Sequence, residues 1–186
     1  MNNLYLPALV ERAALIPGQF HDSFGDLAPS QFNWKPQAKQ WSVGECVAHL
    51  IATNNCYFPL INRITEGKHK NSTISRIPGL SRMWGKMLLR MVSPEIKKKV
   101  KTLKPFEPDT SDISIRLLDN FEQLQLELIA LFKKSDRVDH EKTIITSPAS
   151  KLITYSLKDT LNILIDHEQR HYNQALAVLA RSEFPA

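Results

Sequence analysis

Apolar side chains recur at three- and four-residue spacing in four long stretches of the chain, the period of helices that bury one face. The first stretch runs from about Asn3 to Leu27, with Leu6, Leu9, Val10, Ala13, Ala14, Phe20, Phe24 and Leu27 on its stripe. Pro17-Gly18 is expected to kink or break it, because proline lacks the amide hydrogen that the turn needs. Pro29 to Pro36 reads as a turn and extended connection carrying Phe32 and Trp34. The second helix opens on Ser42-Val-Gly-Glu45. That is a capping box, in which the serine caps an amide three residues on and the glutamate reaches back. It is expected to continue to about Glu66, with Pro59 as a kink, and Trp41 before the cap is placed to pack on Cys46 or a neighbour. The third, Ser111 to Ser135, carries Ile113, Leu117, Leu118, Phe121, Leu124, Leu128, Leu131 and Phe132. The fourth runs from Leu157 to Arg181 behind a second cap, Ser156-Leu-Lys-Asp159.

Between the second and third helices lie the 44 residues Gly67 to Thr110. They offer a short amphipathic helix, Leu80 to Val92, striped by Leu80, Met83, Trp84, Met87, Leu88 and Met91, with Arg82, Lys86 and Arg90 elsewhere. A basic turn, Glu95 to Leu103, and an extended piece, Lys104 to Pro108, follow. Four long helices without convincing strand alternation predict an all-α protein. The expected architecture is a four-helix bundle, one domain over residues 1–186, with a basic helical insertion between helices two and three.

Composition changes little in that picture. Apolar residues make up 42% and charged residues 23%, as in an ordinary soluble globular domain. The net charge of +5 is concentrated: Arg63–Lys104 holds twelve of the 24 Lys/Arg and two of the 19 Asp/Glu, a local +10 that leaves −5 elsewhere. Such a segment could attract an anionic membrane or nucleic acid. The preferred reading is a helix packed on the bundle with its lysines solvated, so neither partner is expected. The start of the chain lacks a basic region followed by an apolar one, so no signal peptide is expected, and no apolar run reaches the ~18 residues of a membrane span. Cys46 and Cys56 lie about 15 Å apart along one helix, too far to bridge. A reduced, cytoplasmic protein is the natural expectation.

The chemistry points to His167-Glu-Gln-Arg-His171. Histidines four apart on a helix stand about 40° apart around its axis, on one face. Two such imidazoles can reach one divalent ion, although the same spacing also fits a pair of core or solvated histidines. Gln174 returns to that face. On the second helix, Glu45, His49, Thr53 and Cys56 share a face, which makes His49 the candidate third ligand. Three histidines leave a coordination position open, the pattern of catalytic zinc sites. Glu45, one turn before His49, is the candidate second-shell carboxylate or proton acceptor, and Thr53 and Gln174 are candidate pocket-lining residues. Imidazole sites accept zinc, nickel, copper or iron, with zinc and nickel expected first. The string also matches the zincin motif, with Glu168 as general base, but no third ligand follows in the expected place. A di-iron carboxylate bundle would need inward glutamates at Glu-x-x-His spacing, which the chain lacks.

Asn33-Trp-Lys-Pro36, Trp41-Ser-Val-Gly-Glu45-Cys-Val-Ala-His49-Leu50 and His167-Glu-Gln-Arg-His171-Tyr-Asn-Gln174 together resemble the DinB-like superfamily of bacterial four-helix bundles, which includes YfiT-type proteins. The resemblance implies an up-down-down-up bundle, a divalent metal on His49, His167 and His171, and a homodimer. Members with known activity transfer or isomerise with a low-molecular-weight thiol such as bacillithiol, mycothiol or glutathione. The function expected here is therefore metal-dependent transfer of such a thiol to an electrophilic small molecule. The alternatives are a metal-dependent hydrolase using activated hydroxide, and a stress-response binding protein that only holds the metal.

Overall fold

The computed structural model describes residues 3–95, 102, 106–108 and 112–185. Four long helices form the bundle: α1 (Leu6–Phe24), α3 (Val43–Thr65), α5 (Leu117–Ser135) and α6 (Leu157–Leu179). The one-turn α2 (Pro29–Phe32), the outer helix α4 (Leu80–Val92) and a hairpin of β1 (Ile144–Thr146) and β2 (Thr154–Ser156) occupy the connections. Both α1 and α3 pack on α5 and on α6, which closes the four helices into a ring. Contacts along their lengths fix the directions. Arg12 meets Asp166 and Ser23 meets Tyr172, so α1 and α6 run together. Asn3 meets Asp136 and His21 meets Glu122, so α5 opposes α1. His49 meets His167 and Tyr57 meets Tyr155 at the entrance to α6, so α3 opposes α6.

The apolar stripes supply the core. Phe20 is wholly buried, with ring centroids 5.6 Å from Phe24, 5.0 Å from Phe121 and 5.3 Å from Tyr172. Each such side chain removed from water contributes about 1.5–3 kcal/mol. The predicted caps of α3 and α6 hold. Ser42 Oγ accepts from the Glu45 amide at 3.1 Å, while Glu45 Oε2 accepts from the Ser42 amide at 2.9 Å. Ser156 Oγ accepts from the Asp159 amide at 3.0 Å. At its C-terminus α3 stops at Gly67, whose φ of 70° suits glycine, with Lys68 N donating back to the Arg63 carbonyl at 2.9 Å.

Several local expectations are corrected. Helix α1 runs unbroken through Pro17. Without an amide hydrogen, Pro17 leaves the Ala13 carbonyl unmet, and Gln125 Nε2 of α5 donates to that oxygen at 3.4 Å. Helix α3 continues through Pro59 to Thr65, close to the expected end at Glu66. Residues Pro29–Phe32 are helical rather than extended. Helix α5 begins at Leu117, not Ser111. Asn33 holds the backbone of Ile113 at both its amide (2.7 Å) and its carbonyl (2.8 Å), as a paired strand would, and so takes that residue out of the helix. The hairpin was not expected, because three-residue strands carry no readable alternation. It pairs Ile145 with Tyr155, both buried. Most of the anticipated basic turn and the start of the extended piece after it, including Lys97, Lys98, Lys99, Lys101 and Lys104, lie outside the described residues.

Helix α4 has the predicted bounds, and Leu80, Trp84, Leu88 and Met91 of the predicted stripe are half-buried, but its fully buried positions are the small residues Ser81 and Gly85. It packs on α6 and β2, with Leu88, Leu89 and Val92 against the core. Ser81 Oγ meets Thr154 Oγ1 at 2.8 Å, and a Cβ on Gly85 would overlap the Asp159 carboxylate. Met83 and Met87, placed on the buried stripe by the sequence pattern, are exposed.

A buried polar knot joins all four long helices. Gln125 Nε2 of α5, besides reaching Ala13 of α1, donates to Glu168 Oε2 of α6 at 2.6 Å, and Asn54 Nδ2 of α3 donates to Glu168 Oε1 at 2.7 Å. Burial pushes the Glu168 carboxyl up from 4.5 to about 7, against the lowering effect of the two amides. Removing one amide leaves a buried acceptor unmet, which costs about 1–3 kcal/mol. Gln125→Leu is therefore expected to destabilise the protein by at least that much in urea unfolding. Because the folded state holds the Glu168 proton more tightly than the unfolded chain, its contribution is complete below pH 4.5 and is lost as pH rises to about 7. In metal-free protein, wild-type stability measured against Glu168→Gln should fall across that window.

Candidate metal centre

The capped start of α3 places His49 in its second turn, and the antiparallel α6 brings His167 and His171 alongside. The Nε2 atoms of His49 and His167 lie 3.1 Å apart, and those of His171 and His167 lie 3.0 Å apart. All three ligand atoms fall within 4.8 Å of one another. Two nitrogens bound to a tetrahedral zinc at ordinary bond lengths stand about 3.3 Å apart, so the cluster is close to the spacing that one ion requires.

Hydrogen bonding prepares the rings. His49 Nδ1 lies 2.6 Å from the Phe106 carbonyl, which can only accept, so Nδ1 carries the hydrogen and Nε2 presents its lone pair. A hydrogen on His167 Nε2 can serve one of its two close neighbours but leaves the other short pair unexplained; a shared cation satisfies all three. Burial pushes His49 down to about 4, although the Phe106 carbonyl opposes the shift. Burial also pushes His167 and His171 well below the ordinary histidine value, helped by the neighbouring imidazoles and Arg170. All three are neutral near pH 7, the state that metal binding requires. His171 Nδ1 is buried without a hydrogen-bond partner among the described residues, and Gln174 is the neighbour placed to supply one.

The flanking residues were only partly foreseen. Trp41 covers the cluster, with its ring centroid 4.7 Å from His49 and stacked 5.5 Å from His171. The sequence offered it only as a packing residue at a helix start. The contact of Phe106, 57 residues from His49, left no sequence signal. Glu45 is buried, but its Oε1 meets Lys35 Nζ at 2.7 Å and its Oε2 caps α3. The Phe106 carbonyl, not Glu45, orients His49. Thr53 lies one turn beyond His49, buried, with a hydroxyl that has no hydrogen-bond partner among the described residues. Glu168 turns away from the histidines into the polar knot, so the geometry offers no support for the zincin reading. Asp166 pairs with Arg12 at 2.6 Å, and Arg170 donates to the Ser93 carbonyl at 3.2 Å. Cys46 is buried and its thiol is pushed up by burial; Cys56, half-buried, is shifted the same way. His69 and His140 bond backbone carbonyls away from the cluster.

A family model described as the DinB superfamily matches residues 16–175. The chain belongs to the DinB superfamily. No curated protein and no solved structure matches it. The match spans all three histidines, and in this DinB-superfamily chain they are placed to hold one metal ion.

Chelator-treated protein is expected to bind one equivalent of zinc or nickel by calorimetry, and His49→Ala or His171→Ala to weaken that binding by about 100-fold or more. Nickel or copper should quench tryptophan emission, and Trp41→Phe should remove most of the quenching.

Proposed function

We propose that this protein is a metal-dependent enzyme that joins the sulfur of a low-molecular-weight thiol, of the bacillithiol or glutathione type, to an electrophilic small molecule. The observation that carries this reading is a convergent set of three neutral imidazoles with no carboxylate among them. A divalent ion held there, zinc or nickel, keeps its full charge and so stabilises a thiol's sulfur in its deprotonated form at neutral pH. The chain's own groups do the rest. His49, His167 and His171 act as ligands, the Phe106 carbonyl fixes the His49 tautomer, and Gln174 steadies His171. Trp41 shields the cluster from water and offers a flat apolar wall. The unpartnered Thr53 hydroxyl is available to a bound polar group. In the reaction the thiol gives up its proton to solvent, the sulfur forms a bond to the electrophilic carbon, the bond from that carbon to the leaving group breaks, and the leaving group departs with its electron pair.

The residues around the cluster favour thiol transfer over hydrolysis. Glu45 is held by Lys35 and Ser42, and Glu168 by Asn54 and Gln125, so neither carboxylate is free to take a proton from water. A thiol brings its own nucleophile and needs only to stay ionised. The proposal places the enzyme in the cytoplasm as a homodimer.

The deciding experiment incubates metal-loaded protein with a generic electrophile, with and without bacillithiol or glutathione. Conjugate should form only when metal and thiol are both present, and His171→Ala should lower the rate by about 100-fold or more. Product formed without thiol would indicate the hydrolase. No acceleration under any condition would leave a protein that only holds its metal.

A further inference from the structure

Helix α4 fully buries Ser81 and Gly85 and leaves two of its large apolar side chains outside. Met83 is 53% exposed, Met87 is 42% exposed, and Ile77, in the turn that leads into the helix, is 53% exposed. Beside these two methionines run Arg82, Lys86 and Arg90, also four residues apart and exposed, in a helix with no acidic residue. None of the three cations forms an ion pair among the described residues. The packing of Ser81 and Gly85 on Thr154 and Asp159 holds this face outward. An apolar row and a cationic row thus lie side by side on one solvent-facing surface.

We propose that this face docks on the anionic surface of a lipid bilayer. Two rival occupants fit it less well. A second copy related by a two-fold axis would set the same cationic row against itself. A nucleic acid would pair with the cations but leave Met83, Met87 and Ile77 against sugar and phosphate. A bilayer interface satisfies both rows: the cations meet anionic headgroups and the apolar side chains enter the boundary with the acyl region. No helix among the described residues is long and apolar enough to cross a membrane, so the contact is peripheral. A single short helix gives reversible attachment that salt weakens.

The test is flotation of the full chain with phosphatidylcholine vesicles, with and without phosphatidylglycerol, at low and high salt. Binding should require the anionic lipid and fall with salt. Met83→Gln/Met87→Gln and Lys86→Glu/Arg90→Glu should each weaken it by about tenfold or more, with circular dichroism and metal binding unchanged. Equal binding to neutral vesicles, or full binding by the methionine variant, would overturn the proposal. So would tighter binding to a short DNA duplex, which would assign the face to nucleic acid. A dimer that dissociates in the methionine variant would assign the face to a second copy and equally overturn it.

Discussion

The rotation of α6 about its own axis is the constraint on which the rest of the structure depends. His167 and Glu168 are consecutive, so their side chains leave the helix about 100° apart. One meets His49 and His171; the other enters the polar knot with Asn54 and Gln125. Turning α6 enough to part the histidines would pull Glu168 from its two amides and strand a buried carboxyl, at a cost of several kcal/mol. The knot thus acts as a pin for the site, and it also answers the defect that Pro17 leaves in α1. Polar groups inside the bundle set the register of its helices, while the phenylalanine cluster supplies the bulk of the burial.

The connection between α3 and α5 is tied to the same end of the bundle. Helix α4 lies on α6, its C-terminal neighbour Ser93 accepts from Arg170, and farther along the connection the Phe106 carbonyl reaches His49. A segment that looks like an insertion by sequence therefore contributes an atom to the cluster. Its methionines follow a different logic, since the space beneath α4 is taken by Gly85 and Ser81.

How much of this the sequence disclosed depended on the range of each interaction. Helix starts at Ser42 and Ser156 were readable because a cap involves residues three apart. The His167/His171 pair was readable for the same reason, and His49 because a family pattern accompanied it. What escaped were contacts between distant parts of the chain. Asn33 shortens α5 by holding Ile113, Gln125 rescues the helix at Pro17, and Trp41 covers two histidines on different helices. Met83 and Met87 were misjudged because periodicity finds the apolar side of a helix, whereas here close approach at Gly85 set which positions of α4 are fully buried.

X-ray absorption at the metal edge of stoichiometrically loaded protein tests the central claim most directly. The account predicts three imidazole nitrogens at about 2.0–2.1 Å, with any further ligand an oxygen from solvent. Fewer than three imidazoles, or a sulfur or bidentate carboxylate from the chain at the metal, would contradict it.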